Sequence, residues 1–299
     1  MRKSKWEPGA PVPRDELGRP TACAWREVVR SHNCTATREY DEVIEEVPVA
    51  LVYNRISHAV MMASPADLED FALGFSLGEG IVEQARDVHE LEIRAGAQGV
   101  VIDMVIAARH FAALKQRKRN LAGRTGCGLC GLDSLATFAT HATPAAPCAT
   151  RATRVSVAAI DHALHQLPHW QPLYERTGAS HGAAWVDPEA QIRCVREDVG
   201  RHNALDKLVG ALARTGEQTN GGFALITSRA SYEMVQKAAH AGITALVALS
   251  APTVFAIQQA EATGMLLVGF ARTGARVAYS HAERLDGVPT PALAPYAIM

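Results

Sequence analysis

The amino-acid sequence predicts an α/β protein built in two parts, and three observations carry that prediction. From residue 151 to 299, short apolar runs alternate with amphipathic helical stretches, the pattern of βα units on a largely parallel sheet. Across residues 21–120, strands cluster in pairs around two helices, which describes a smaller α+β unit. Between the two, residues 121–150 carry a glycine-rich cysteine loop and then turn to Ala, Thr and Pro, including Thr143-Pro-Ala-Ala-Pro147, which reads as a linker. The length of 299 residues suits about two domains, and 48% hydrophobic with 20% charged residues is the make-up of a globular chain.

The elements follow in order. Met1 to Pro20 holds four prolines and no apolar core segment, so residues 1–20 are expected to form a disordered tail and not a secretory signal. A strand is expected over 25–30, then two strands within 43–63 that turn at Asn54-Arg55. Ser64-Pro-Ala-Asp67 supplies a helix start, with serine as the cap and proline in the first turn. The helix over 68–77 is expected to be buried, because Leu68, Phe71, Leu73, Phe75 and Leu77 are too dense for an exposed one. Strands over 88–94 and 100–107 pair around Ala95-Gly-Ala-Gln-Gly99, and a helix over 109–119 ends in Lys115-Gln-Arg-Lys-Arg119. Cations there complement the helix macrodipole, which is a structural reading of the basic run. In the second part, helices are expected over 157–167, 204–213, 232–241 and 254–263. Strands are expected over 183–186, 192–195, 223–227, 244–249, 265–270 and 277–279.

No stretch reaches the ~18 apolar residues of a membrane span, so the chain is expected to be cytoplasmic, with no membrane partner. A formal net charge of -1 gives no global field for nucleic acid, so any anion must be held by a local cluster. Three such clusters fall at predicted strand ends: Arg196-Glu-Asp-Val-Gly-Arg-His-Asn203, Ser228-Arg-Ala-Ser-Tyr232 and Phe270-Ala-Arg-Thr-Gly274. Ligands of such sheets bind outside the carboxyl ends of the strands, where backbone N–H groups and arginines suit phosphate. Neither a Walker loop nor a Gly-x-Gly-x-x-Gly after a strand occurs, so ATP hydrolysis and dinucleotide redox chemistry have no motif behind them.

The chemistry concentrates in Gly123-Arg-Thr-Gly-Cys-Gly-Leu-Cys-Gly131. Glycines around Cys127 and Cys130 let the backbone approach a bound group and present the sulfurs, and the neighbouring cations favour thiolate over thiol. The plain alternative is a loop that merely holds two small residues. The six cysteines, Cys23, Cys34, Cys127, Cys130, Cys148 and Cys194, show no disulfide framework, and a close Cys-x-x-Cys under reducing conditions is metal-binding or catalytic more often than structural. A zinc site needs about four ligands, and only His110 and His141 are at hand to complete one. Zinc deamination needs His-x-Glu and Pro-Cys-x-x-Cys, whereas His181-Gly-Ala183 lacks the carboxylate and Pro252-Thr-Val-Phe255 lacks the thiols. His181 then reads as a strand-edge residue satisfied by backbone. No metal is expected. Redox exchange and sulfur transfer both remain open, with sulfur transfer slightly favoured: a thiolate at Cys127 takes a persulfide sulfur, and Cys130 resolves or relays it.

At these residues the chain resembles the FdhD-type formate dehydrogenase accessory sulfurtransferases. The resemblance is carried by Glu46-Val-Pro-Val-Ala-Leu-Val-Tyr-Asn54, Phe71-Ala-Leu-Gly-Phe-Ser-Leu77 with Glu79-Gly-Ile81, Arg124-Thr-Gly-Cys-Gly-Leu-Cys-Gly131 and Glu197-Asp-Val-Gly-Arg-His202 with Ala204-Leu-Asp-Lys-Leu208. Ser228-Arg-Ala-Ser-Tyr-Glu-Met-Val-Gln-Lys237 and Leu267-Val-Gly-Phe270 complete it, over about residues 40–285. It implies a sulfur carrier that takes sulfur from a cysteine desulfurase and passes it to the molybdenum cofactor, bis(molybdopterin guanine dinucleotide), of a formate dehydrogenase. It further implies that Cys127 carries the persulfide, that Cys130 supports it, and that the cofactor is held by Phe270, Ala271, Arg272, Thr273, Gly274 and Ala275. Arg201, Arg229 and Arg272 would suit its pyrophosphates, with Asp198, His202 and Lys237 as second contacts, against which stand a helix-capping role for the aspartate and a surface position for the lysine. The fold implied for 151–299 is a cytidine-deaminase-like three-layer α/β/α domain. A non-catalytic chaperone that binds the cofactor for formate dehydrogenase is the alternative, and a homodimer is left open.

Overall fold

A computed structural model describes residues 14–15, 18–119, 153–219 and 221–288 of the chain. The first elements are strands β1 (Cys23–His32), β2 (Thr35–Ile44), β3 (Val47–Tyr53) and β4 (Ile56–Ala63), then helix α1 (Leu68–Gly78), strands β5 (Val88–Gly96) and β6 (Gly99–Ile106), and helix α2 (Ala108–Arg119). After residue 152 come β7 (Val155–Ser156), α3 (Val157–Gln166), α4 (Pro172–Thr177), β8 (His181–Val186), β9 (Ile192–Asp198) and α5 (Arg201–Thr215). They continue with β10 (Phe223–Ile226), α6 (Tyr232–His240), β11 (Ala245–Ala248), α7 (Val254–Thr263), β12 (Leu266–Arg272), β13 (Ala275–Ser280) and β14 (Leu285–Asp286).

β1 and β2 form a two-stranded antiparallel ribbon, longer than the single strand expected over 25–30. β2 escaped notice because it lacks apolar alternation: none of its residues is buried and its charges pair across the ribbon, Arg30 with Glu39 and Asp41 and Arg38 with Glu27. β3, β4, β5 and β6 build a four-stranded sheet in the order β4-β3-β6-β5. Its inner face, with Val49, Leu51, Tyr53, Ile102 and Met104, packs on Phe71 and Phe75 of α1.

The second sheet has six strands in the order β13-β12-β11-β10-β8-β9. α5, α6 and α7 cover one face through Leu205, Leu208, Met234, Val235, Ala256 and Ala260, and α3 covers the other through Ile160 and Ala163, which gives three α/β/α layers. The expected largely parallel sheet is corrected to a mixed one. β10, β11 and β12 run parallel, but β8/β9 and β12/β13 are hairpins, and β8 is antiparallel to β10. A short turn can only return the chain antiparallel. The short helix α4 was also not anticipated, being six residues long and too brief to show a period.

α1 is buried as expected, for a reason that composition conceals. Its aromatic side faces the four-stranded sheet, while its glycine side crosses α5 at backbone contact. A Cβ on Gly74 would sit 1.6 Å from the Asp206 carbonyl oxygen, and one on Gly210 would sit 1.9 Å from the Asp70 carbonyl oxygen. Only glycine at both positions permits that approach.

Charges reinforce this junction. The buried Asp70 of α1 accepts from Arg196 of β9 and Arg214 of α5, each at 2.8 Å. Lys207 and Asp198, both fully shielded from solvent, pair at 2.7 Å. Lys237 bonds Asp206 at 2.7 Å and Glu79 at 3.1 Å. The serine expected to cap α1 is used here instead. Ser64 donates its N–H to Asp198 (2.9 Å) and accepts from Lys207 through its carbonyl (3.0 Å), while Asp67 occupies the N-cap position without a side-chain capping bond, its carboxylate 3.7 Å from Arg196.

Candidate functional site

Because β8 runs opposite to both its neighbours, β9 points the same way as β10, β11 and β12. The carboxyl ends of these four strands therefore share one edge of the sheet, which is where open α/β sheets bind ligands. All three polar clusters of the sequence fall on that edge, after β9, β10 and β12, and the start of β8 brings His181 to it as well.

At the β9 end, the Asp198 carboxylate accepts from Gly200 N–H (2.8 Å), Asn203 Nδ2 (2.9 Å), Ser64 N–H and Lys207. Its acceptor capacity is spent on shaping the start of α5, so it is a structural residue and not a ligand contact. Lys237 is likewise excluded. It is not the surface lysine that the sequence suggested but a buried partner of Asp206. His202 Nε2 lies 2.7 Å from Glu233 and 3.4 Å from the Ser231 hydroxyl, linking α5 to α6 beneath the edge.

Arg201 and Arg229 behave differently. The Arg201 Nε is buried and has no hydrogen-bond partner, and among the described residues Arg201 forms no ion pair. A buried donor without an acceptor costs about 1–3 kcal/mol, a price that a bound anion would remove. Arg229, in the loop after β10, is exposed and without an ion pair among the described residues. His181, at the start of β8, is partly buried within the field of Arg201. Burial, then the Arg201 guanidinium, hold its imidazole below the ordinary value of 6.5, with His202 adding to the effect and Asp198 opposing it. The expected backbone satisfaction of its ring is not observed: the strand pairs His181 with Asp198 through the main chain, and among the described residues the imidazole itself has no hydrogen bond.

At the β12 end, Phe270 adopts a left-handed backbone (φ 49), and the residue is 47% exposed. A bulky residue at positive φ is strained. The distortion lies in a break of register between Gly269 and Arg272, and it leaves Phe270 exposed. Gly269 is required there, since a Cβ would meet Pro252 and Tyr279, each at 2.9 Å. Val254, the first residue of α7, is 73% exposed at the neighbouring β11 end. Arg272 donates to the carbonyls of Leu249 and Ala271, so part of its fork serves the backbone. Ala271 is buried, whereas Thr273, Gly274 and Ala275 are exposed at the turn into β13. Arg276 next door is committed to Asp161 at 2.8 and 3.1 Å.

Cys127 and Cys130 lie outside the described residues, as does His141. His110, the other zinc candidate, is engaged by Asp87 at 3.1 Å. Cys23 and Cys194 are poor thiolates. Burial, aided by Glu42, pushes the Cys23 thiol up to about 11, and burial raises Cys194 as well. Arg176 donates to the Cys23 sulfur at 2.7 Å and Arg196 to that of Cys194 at 3.3 Å, but burial outweighs both arginines.

What the edge can do chemically is hold a ligand with an apolar flat part and an anionic part. Sequence reasoning marked the arginines but misjudged His181, whose place beside Arg201 follows from cross-strand register and has no local signal.

Comparison with known proteins agrees with the sequence motifs. Residues 44–286 match the FdhD/NarQ family. A sulfur carrier protein FdhD from Cupriavidus necator is 55% identical over 246 residues, covering 82% of this chain and 84% of the relative. One from Bordetella petrii is 50% identical over 267 residues, covering 89% and 95%. A solved structure from Desulfotalea psychrophila, described as that of a formate dehydrogenase accessory protein, superimposes with a TM-score of 0.67 at 23% identity over 88% of this chain and 99% of that one, which shows a shared fold. The chain belongs to the FdhD/NarQ family.

Proposed function

We propose that this protein is a cytoplasmic sulfur carrier that accepts sulfur from a cysteine desulfurase as a persulfide on Cys127 and delivers it to bis(molybdopterin guanine dinucleotide) for a formate dehydrogenase. The observation that carries the reading is the coincidence of two features. The relatives at about half identity are named sulfur carriers, and this chain has, besides its Cys-Gly-Leu-Cys motif, a strand-end edge where Arg201 and Arg229 form no ion pair among the described residues and Phe270 is exposed. The fit of the edge to the ligand class is chemical. Guanidinium groups match pyrophosphate oxygens, and an exposed phenyl face matches a purine or pterin.

The Cys127 thiolate attacks the outer sulfur of the donor's persulfide, forming Cys127–S–S⁻ and releasing the donor's thiolate. Arg124 and the basic run ending at Arg119 favour both charged states. Delivery requires the outer sulfur to leave as sulfide, with two electrons. Attack of the Cys130 thiolate on the inner sulfur accomplishes that, leaving a Cys127–Cys130 disulfide to be reduced by a cellular dithiol. The bound cofactor serves as sulfur acceptor, and the protein's own part is to carry the sulfur, hold the acceptor and keep the persulfide from stray thiols.

Incubating the protein with a cysteine desulfurase and cysteine, followed by peptide mass spectrometry, is expected to show one added sulfur on Cys127 and none in Cys127→Ala. A Cys127→Ala variant that still matures active formate dehydrogenase would instead favour a chaperone without covalent chemistry.

A further inference from the structure

The outer face of the four-stranded sheet is apolar where a face turned to water should be polar. A sheet that packs on one side alternates apolar-in with polar-out along its strands, and the inner positions Val49, Leu51, Ile102 and Met104 are buried as that rule requires. The alternate positions include Pro48 and Ala50 on β3, Val60 and Met62 on β4, and Val101 and Val105 on β6, and none of these is buried. Register sets them side by side, Pro48 against Met62 and Ala50 between Val60 and Val101. Val60 is 55% and Met62 47% exposed, and a contiguous apolar surface of this kind marks an interaction site. We propose that this face docks the protein that loads sulfur onto Cys127, a partner that presents an apolar strip bordered by lysine or arginine. The inference rests on the sulfur-carrier reading, and it assigns the sulfur donor a surface.

Charge on this face is one-sided. Glu90, Glu92 and Arg94 of β5 stand opposite Val105, Asp103 and Val101 of β6, so three carboxylates and a single guanidinium border the apolar strip. Arg94 lies 3.6 Å from Glu92 and 3.1 Å from Asp103, while Glu90 forms no ion pair among the described residues. An acidic border suits a partner with a basic one, which steers the encounter and fixes its register. A second copy is the poorer fit, because the cation of its own face is already shared by two carboxylates and leaves nothing to meet Glu90.

Chain length selects the sulfur donor as that partner. β6 leads through α2 to Arg119, and Cys127 stands eight residues further on, so the thiol lies at most about 29 Å from Arg119. The return from Cys127 to Thr153 takes 26 residues and permits about 90 Å. Cys127 is thus tethered closely to the four-stranded sheet and loosely to the six-stranded one. A protein that hands sulfur to Cys127 must dock within the short tether, whereas one that collects the loaded cofactor works at the strand-end edge of the other sheet. Val101, Asp103 and Val105 belong to β6, so the docking face and the tether share one continuous piece of chain.

Calorimetric titration of a cysteine desulfurase into the full chain reads the docking, and mass spectrometry of Cys127 after treatment with the desulfurase and cysteine, or with glutathione persulfide, reads its consequence. Val60→Glu is expected to weaken desulfurase binding by about tenfold or more, and Glu90→Lys by about threefold, with a smaller dependence on salt. Both should slow loading by the desulfurase and leave loading by glutathione persulfide unchanged. Val29→Glu, at an exposed site on the β1/β2 ribbon, should match the unaltered chain. Should Val60→Glu lower the unfolding midpoint, the exposed Glu90→Lys decides alone. Unchanged desulfurase affinity in these variants overturns the inference and leaves the sulfur-carrier reading standing. So does a dimer of the unaltered chain that Val60→Glu dissociates, since a second copy then covers the face. Absence of sulfur from Cys127 with either donor overturns both.

Discussion

Two regions of this molecule are rich in buried or half-buried charge, and they differ in whether the charges are answered. At the junction of α1 with α5 and β9, Asp70, Asp198, Asp206, Lys207 and Lys237 each have close partners of opposite sign. At the strand-end edge, Arg201 and Arg229 have none among the described residues. Both regions carry the charged side chains that sequence motifs bring to notice, so the motif alone cannot separate them. Compensation can: a satisfied charge network specifies architecture, and an unsatisfied one awaits a ligand.

The comparison can be broken at the junction first. Lys207→Met leaves the fully buried Asp198 carboxylate without its cation, and a loss of about 3–5 kcal/mol of stability is expected in urea titration. Replacing both partners, Lys207→Met with Asp198→Leu, should recover part of that loss. A double variant as unstable as the single one would mean that the pair does more than neutralise itself. Gly210→Ala comes next, at about 3 kcal/mol, because its Cβ has no room against the Asp70 carbonyl and must force the helices apart, in spite of alanine's better helix propensity.

At the edge the same kind of change should do almost nothing to stability. Arg229→Gln is expected to stay within about 0.5 kcal/mol of the unaltered protein while losing nucleotide affinity. A large stability loss there would erase the distinction between the two regions. The smallest effect concerns pH. His181 binds its proton less readily when folded than when unfolded, so the unfolded chain takes up more protons and stability falls as pH drops below 6.5. In His181→Gln that part of the decline should be missing, as measured by thermal unfolding between pH 7 and 5.

Much of this was legible in the sequence where periodicity or a motif spoke. The helices of the second sheet and the strand-end clusters follow from apolar spacing and from polar runs that interrupt it. The strand directions did not follow, because hairpins such as β8/β9 and β12/β13 are decided by turn length and pairing. The role of Ser64 was misread for a related reason. A serine before a helix is the usual cap, but here Asp198 and Lys207, more than a hundred residues away, hold it instead. Lys237 looked like a surface residue since lysine usually is one, and only the tertiary fold brings Asp206 and Glu79 to it. Within the candidate site, Phe270 was legible as an aromatic at a strand end, but its left-handed backbone and its exposure were not. The unmet donor on Arg201 is a property of its surroundings, and no local pattern encodes it.

The central claim is that sulfur held on Cys127 passes to an acceptor lodged on the arginine-bearing edge. The most direct measurement begins with protein persulfidated by a cysteine desulfurase, adds sulfur-free bis(molybdopterin guanine dinucleotide), and follows the Cys127 peptide by mass spectrometry in the unaltered protein and in Arg229→Gln. The account predicts that the added sulfur disappears from Cys127 on mixing in the unaltered protein, and that it persists in Arg229→Gln at the same cofactor concentration. Persistence in both, or equal loss from both, would contradict it.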